Sequence, residues 1–125
     1  MITNILGVSN NNMKQFFRKV CRIFTRSMDN QLSYKEVLEM IRKSQNVKLI
    51  DVRSIQEYDE GHLDGAICIP LYELQTDIVN KIKDKDTVII LYCASGVRSL
   101  KGKNILDDLG YKNVYNLDGG IENIG

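Results

Sequence analysis

The segment Thr87 to Tyr92 reads TVIILY, with no charged or amide side chain in it. A strand with one wet face alternates apolar and polar residues; a short unbroken apolar run instead fits a strand covered on both sides, as in a parallel sheet. Val47 to Val52 (VKLIDV), Ala66 to Ile69 (AICI) and Asn113 to Leu117 (NVYNL) read as companion strands. Between them lie helical stretches. Ser33 and Glu36 form a capping box that opens a helix striped by Val37, Leu38 and Ile41 and ending near Ser44 to Asn46. Ser54–Glu60, Leu71–Ile82 and Val97–Leu109 follow, the last stopped by Gly110. Strands alternating with helices over roughly 90 residues predict an α/β fold of three layers, a mostly parallel central sheet with helices on both faces. A chain of 125 residues holds one such domain. In these folds the ligand crevice lies off the carboxyl ends of the strands, which singles out the segments after Val52 and after Tyr92.

Charge divides the chain into residues 1–29, a basic amphipathic segment, and residues 30–125, the domain. Lys14, Arg18, Lys19, Arg22 and Arg26 precede the first acid, so this stretch carries +5 and the remainder −4 within a net charge of +1. Phe16, Phe17, Val20, Cys21, Ile23 and Phe24 fall opposite the basic residues at helical spacing. Residues 14–26 therefore suit packing on the domain or on a second copy, or peripheral contact with an anionic membrane or a protein partner. An acid-poor start of this kind also resembles an organelle transit peptide, whereas no apolar core of a secretory signal follows it. The near balance of 17 Lys+Arg against 16 Asp+Glu argues against nucleic-acid binding. Three scattered cysteines, Cys21, Cys68 and Cys93, and one histidine provide neither a disulfide framework nor a metal site, and no cofactor is called for. Such thiols suit a reducing, cytoplasmic setting.

Chemistry concentrates after the most apolar strand, in Cys93-Ala94-Ser95-Gly96-Val97-Arg98-Ser99. A cysteine where a strand hands over to a helix meets the converging N–H groups of the turn and the positive end of the helix dipole. In such an anion cradle a thiol loses its proton more readily and becomes a nucleophile. Gly96 allows the tight turn, Ala94 and Ser95 are small, and Arg98 is expected to add a full charge at the rim. Against this stands the frequent burial of free cysteine as an inert core residue.

Three runs in order resemble the motifs of rhodanese-like domains. Asp51-Val52-Arg53 with Glu57-Tyr58, Gly61-His62-Leu63-Asp64-Gly65-Ala66 and Ile69-Pro70 resembles the N-terminal signature. Cys93 to Ser99 resembles the active-site loop, and Leu117-Asp118-Gly119-Gly120-Ile121 the closing motif. The resemblance implies a three-layer rhodanese-like fold and sulfur transfer. Cys93 would take the outer sulfur of a donor such as thiosulfate or a persulfide and pass it to a thiol or cyanide, with Ala94, Ser95, Gly96, Val97, Arg98 and Ser99 lining the substrate. Family members acting on phosphate or arsenate carry one more residue between cysteine and arginine, so the shorter loop here favours sulfur. The loop also lacks the Gly-Ser-Gly-Val-Thr run of mercaptopyruvate-using relatives. Two rivals remain: a non-catalytic binding or sensing module, and a phosphatase or arsenate reductase.

The supporting residues read mostly as structure. Asp51 and Arg53 suit an ion pair beside the crevice, and Glu57 a partner for Arg98 or Arg53. His62 sits in a turn without metal partners. Cys68 is expected to be buried, a resolving role being the alternative. Gly119 and Gly120 suggest close backbone approach along one wall of the pocket.

Overall fold

The computed structural model describes residues 30–44 and 46–124. The basic stretch at 14–26, with Cys21 and the membrane or partner contact expected of it, lies outside those residues. Strands β1 (Gln31–Leu32), β2 (Val47–Asp51), β3 (Ile67–Cys68), β4 (Val88–Tyr92) and β5 (Asn113–Leu117) alternate with helices α1 (Tyr34–Lys43), α2 (Ile55–Glu60), α3 (Leu71–Lys81) and α4 (Val97–Asp108). A short 3-10 turn, Ile121–Asn123, follows β5. The sheet order is β1-β5-β4-β2-β3, and every pairing is parallel.

The apolar run becomes the middle strand. Along β4 and just beyond it, side chains alternate between two cores. Ile89, Leu91 and Cys93 join Ile50, Val52, Leu74 and Ile78 of α3 and Leu106 of α4. Ile90 and Tyr92 point the other way, toward Leu49, Leu117, Leu63, Ala66 and Val37 of α1. Each fully buried Leu or Ile contributes roughly 1.5–3 kcal/mol, and a one-residue slip would move all of them to the wrong side. The register Val47↔Val88 through Asp51↔Tyr92 is therefore set on both faces at once. The expected strands and helices are all present, with ends within a residue or so of the sequence reading. Strand β1 was not expected. It has two residues and no apolar pattern, and it pairs with β5 through Gln31↔Asn116 and Leu32↔Leu117.

Helix starts are completed in different ways. In α1 and α2 a serine N-cap and a glutamate three residues on satisfy each other's backbone: Ser33 with Glu36, Ser54 with Glu57. Pro70 precedes α3. Helix α4 begins after Gly96, in the left-handed region, with no side-chain cap of its own. Helix α2 lies on the Tyr92 side of the sheet through Tyr58, and α4 on the Cys93 side through Leu106. Two helices leaving adjacent strands, β2 and β4, thus diverge to opposite faces, which opens a crevice at the carboxyl ends of those strands.

Candidate active site

Cys93 is the first residue beyond β4. Its Sγ accepts hydrogen bonds from the backbone N–H of Gly96 at 3.1 Å and of Ser99 at 3.4 Å, and Ser99 Oγ lies 3.4 Å away. Ser99 N is the third amide of α4, the one that a serine oxygen accepts from in α1 and α2. In α4 the sulfur takes that place, at the positive end of a 12-residue helix. Gly96, at φ 101°, makes the turn that brings both amides round, a conformation an L side chain rarely adopts. Ser99 Oγ donates to the Gly96 carbonyl at 3.1 Å. Its single proton serves one acceptor at a time, so while it rests on the carbonyl the thiol is the donor between the two side chains. Rotated onto the sulfur, it becomes a third donor to an anion there.

The loop is held from behind. Ile121 N donates to the Cys93 carbonyl at 2.9 Å and Glu122 N to the Ala94 carbonyl at 3.0 Å. With these carbonyls tied outward, the amides that follow face the sulfur. Gly120, at φ 67°, permits the approach: a Cβ there would stand 2.4 Å from the Ala94 oxygen and 2.5 Å from the Cys93 oxygen. The paired glycines of the closing motif thus wall the loop, as their sequence suggested.

Two ion pairs flank the crevice. Arg98 forks onto Glu57, Nη1 to Oε1 at 2.7 Å and Nη2 to Oε2 at 2.9 Å, tying α4 to α2 across the strand ends. The guanidinium holds the Glu57 carboxyl down at about 2, while the same Oε1 also accepts from Ser54 N in the capping box. Asp51 and Arg53 form the second pair, which is buried. Arg53 Nε reaches both carboxylate oxygens at 3.0 Å, and Nη2 reaches Oδ2 at 2.7 Å and the Gly61 carbonyl at 2.6 Å. The guanidinium also lies 5.7 Å from the centre of the Tyr92 ring. Tyr92 Oη accepts from Leu63 N, and burial raises its hydroxyl far above the ordinary range, with Asp51 adding to the effect. This cluster anchors the segment between α2 and β3.

The sequence-derived residues therefore separate into groups. Gly96 and Ser99 meet the sulfur. Ala94 supplies a carbonyl to the backing, and Ser95 and Val97 form the loop's exposed outer side. Of the two partners the sequence offered Glu57, the structure pairs it with Arg98, so the full rim charge expected of Arg98 is offset by that carboxylate. Asp51 and Arg53 make the structural pair expected of them. Cys93 itself has 0% exposure, so a donor reaches the sulfur only when the atoms packed over it move. His62 stacks on Tyr58 at 3.7 Å with Nδ1 against the Tyr58 carbonyl, a structural place. Cys68, half-buried rather than buried, faces the Arg53 carbonyl at 3.7 Å. Burial and then the Asp51 charge push its thiol up. Sequence reasoning missed the Ser54 cap, although Ser54 and Glu57 repeat the spacing of Ser33 and Glu36, and it missed the carbonyl contacts behind the loop. Among the described residues no group of His, Cys, Asp and Glu could hold a metal ion.

Known proteins resemble this chain in sequence and fold. A family model described as the rhodanese-like domain matches residues 33–125. Thiosulfate sulfurtransferase PspE of Escherichia coli (strain K12) is 40% identical over 75 residues, 60% of this chain and 71% of that protein. The tRNA uridine(34) hydroxylase of Protochlamydia amoebophila (strain UWE25) is 35% identical over 100 residues, 75% of this chain but 30% of that longer protein. A solved structure, "rhodanese with anions from E. coli", superposes with a TM-score of 0.58 at 37% identity, covering 63% of this chain and 92% of that one. The chain belongs to the rhodanese-like domain family.

Proposed function

We propose that the protein is a sulfurtransferase in which Cys93 carries the sulfur as a persulfide. The observation that supports it most is the pair of amides, Gly96 N and Ser99 N, aimed at one sulfur at the start of a helix. In the first step the Cys93 sulfur, as thiolate, attacks the outer sulfur of a donor such as thiosulfate. Its electron pair makes the new S–S bond, and the pair of the donor's S–S bond leaves with sulfite, giving an anionic persulfide on Cys93. In the second step a thiolate or cyanide attacks the outer persulfide sulfur and leaves with it, and the Cys93 thiolate returns. The negative charge stays within reach of the same donors throughout, which is how an oxyanion-type cradle lowers both barriers. Ping-pong kinetics follow. The names of relatives such as PspE support sulfur transfer, and the hydroxylase relatives place the same kind of domain within a larger protein.

The test is intact mass after incubation with millimolar thiosulfate. The expected result is a gain of one sulfur that a reductant removes and that Cys93→Ser abolishes. No gain, or a gain that survives in Cys93→Ser, would return the domain to a binding or sensing role. Turnover of an aryl phosphate lost in Cys93→Ser would favour the phosphatase reading instead.

A further inference from the structure

We propose, resting on the sulfurtransferase reading, that Glu57 sets which donors the cradle takes: monoanionic sulfane donors, thiosulfonates and persulfides, in preference to dianionic thiosulfate. Arg98 is the only cation in the Cys93–Ser99 loop, and both arms of its guanidinium end on Glu57 at 2.7 and 2.9 Å. Arg53, the other guanidinium at these strand ends, is closed onto Asp51. Each pair is neutral overall, so beyond the backbone amides and one hydroxyl an incoming anion meets an Arg98 charge that Glu57 largely offsets. The Glu57 carboxylate is 34% exposed, about as much as the 38% of Arg98, and Glu122 stands behind the loop through its amide on Ala94. Ile55 and Val97, the first residues of α2 and α4, are apolar and 54% and 61% exposed. An organic substituent on the donor has apolar surface to meet there, while a second negative charge has no unpaired arginine to meet. Glu57 stays ionised down to about pH 2, so protonation does not lift the bias in the ordinary range.

Thiosulfate and methanethiosulfonate test this, since they differ chiefly by one charge and a methyl for an oxygen. With either donor the Cys93 thiolate takes the outer sulfur and a sulfur oxyanion leaves, sulfite from the first and methanesulfinate from the second. The measurement is kcat/KM for each donor in wild type and Glu57→Gln, a change that keeps a side-chain acceptor for the capping box and frees Arg98. Wild type is expected to favour methanethiosulfonate, and the preference to fall about tenfold in Glu57→Gln, as for removal of one nearby charge. Added salt is expected to speed thiosulfate loading in wild type by screening, a response that flattens in the variant. Glu57→Asp, which keeps the charge, retains the wild-type preference. A folded Glu57→Gln with an unchanged preference, equal losses for both donors, or a wild type that favours thiosulfate overturns the inference while leaving the persulfide chemistry intact. If neither donor loads Cys93, the sulfurtransferase reading itself fails and the inference with it.

Discussion

Helices α2 and α4 follow neighbouring interior strands at the same, carboxyl end of the sheet, yet their first turns are completed by different chemistry. In α2 the Ser54 hydroxyl accepts the Glu57 amide at 3.1 Å, and Glu57 returns the bond to Ser54 N at 3.1 Å. Both donors of that box have a fixed oxygen, so neither amide is left for a sulfur or an incoming anion. In α4 the N-cap is glycine, no oxygen caps the turn, and the corresponding amide goes to the Cys93 sulfur. The sulfur is a softer, longer acceptor that gains from those donors most when it is charged. Lacking a serine cap, this helix start leaves its third amide to a sulfur. Cys68 makes the same point from the other side: its sulfur faces a carbonyl, which suits a thiol and opposes an anion.

The contrast is broken most severely from behind the loop. Gly120→Ala would place a Cβ inside contact distance of two carbonyl oxygens, at a φ that alanine resists. The loop must move, and Gly96 N and Ser99 N lose their aim. Persulfide formation, followed by intact mass against time, is expected to fall at least about a hundredfold, the scale of losing a positioned donor. Unfolding stability is expected to drop by about 2–3 kcal/mol. A folded variant that loads sulfur at the wild-type rate would mean the backing does not direct the amides.

Ser99→Ala sharpens the comparison more gently. It deletes the hydroxyl 3.4 Å from the sulfur and leaves both amides in place. A hydrogen bond to a charged group contributes about 1.5–3 kcal/mol, so loading is expected to slow by about tenfold or somewhat more. A Ser99→Ala rate equal to wild type would assign the hydroxyl to the Gly96 carbonyl alone.

These contrasts were unevenly legible in the sequence. The central strands were readable because burial on both faces leaves no room for a polar residue in TVIILY, and the cysteine loop because small residues and glycine cluster where that strand ends. β1 was not, since two residues carry no period. Ser54 and Glu57 spell a capping box as plainly as Ser33 and Glu36, but Glu57 serves the cap and an ion pair at once, and the charge alone does not distinguish the two roles. The sequence offered Glu57 to Arg98 or to Arg53, and with Arg98 standing 41 positions away only the fold chooses between them. The carbonyls of Cys93 and Ala94 likewise find partners in Ile121 and Glu122, through contacts made by the fold rather than by neighbours in the chain.

The smallest expected effect separates the two helix starts by acid. Glu57 is held down to about 2, first by the Arg98 hydrogen bonds and with help from Ser54, against an ordinary carboxyl value of 4.5. Because its folded-state value is depressed, its contribution is complete above about pH 4.5 and is lost as pH falls toward 2. A side chain 34% exposed is screened by water, so that contribution is about 1 kcal/mol rather than what the full shift would give. Urea unfolding of wild type and Glu57→Gln should then differ by about 1 kcal/mol near neutral pH, with wild type the more stable, and the gap should close between pH 4.5 and 2. Helix α4 has no acid in its first turn, so the same titration loosens α2 and releases Arg98 without protonating any carboxylate at the start of α4. A gap that stayed constant to pH 2.5 would show that the fork does not depress the carboxyl, and would weaken the case that Arg98 is closed to an incoming donor.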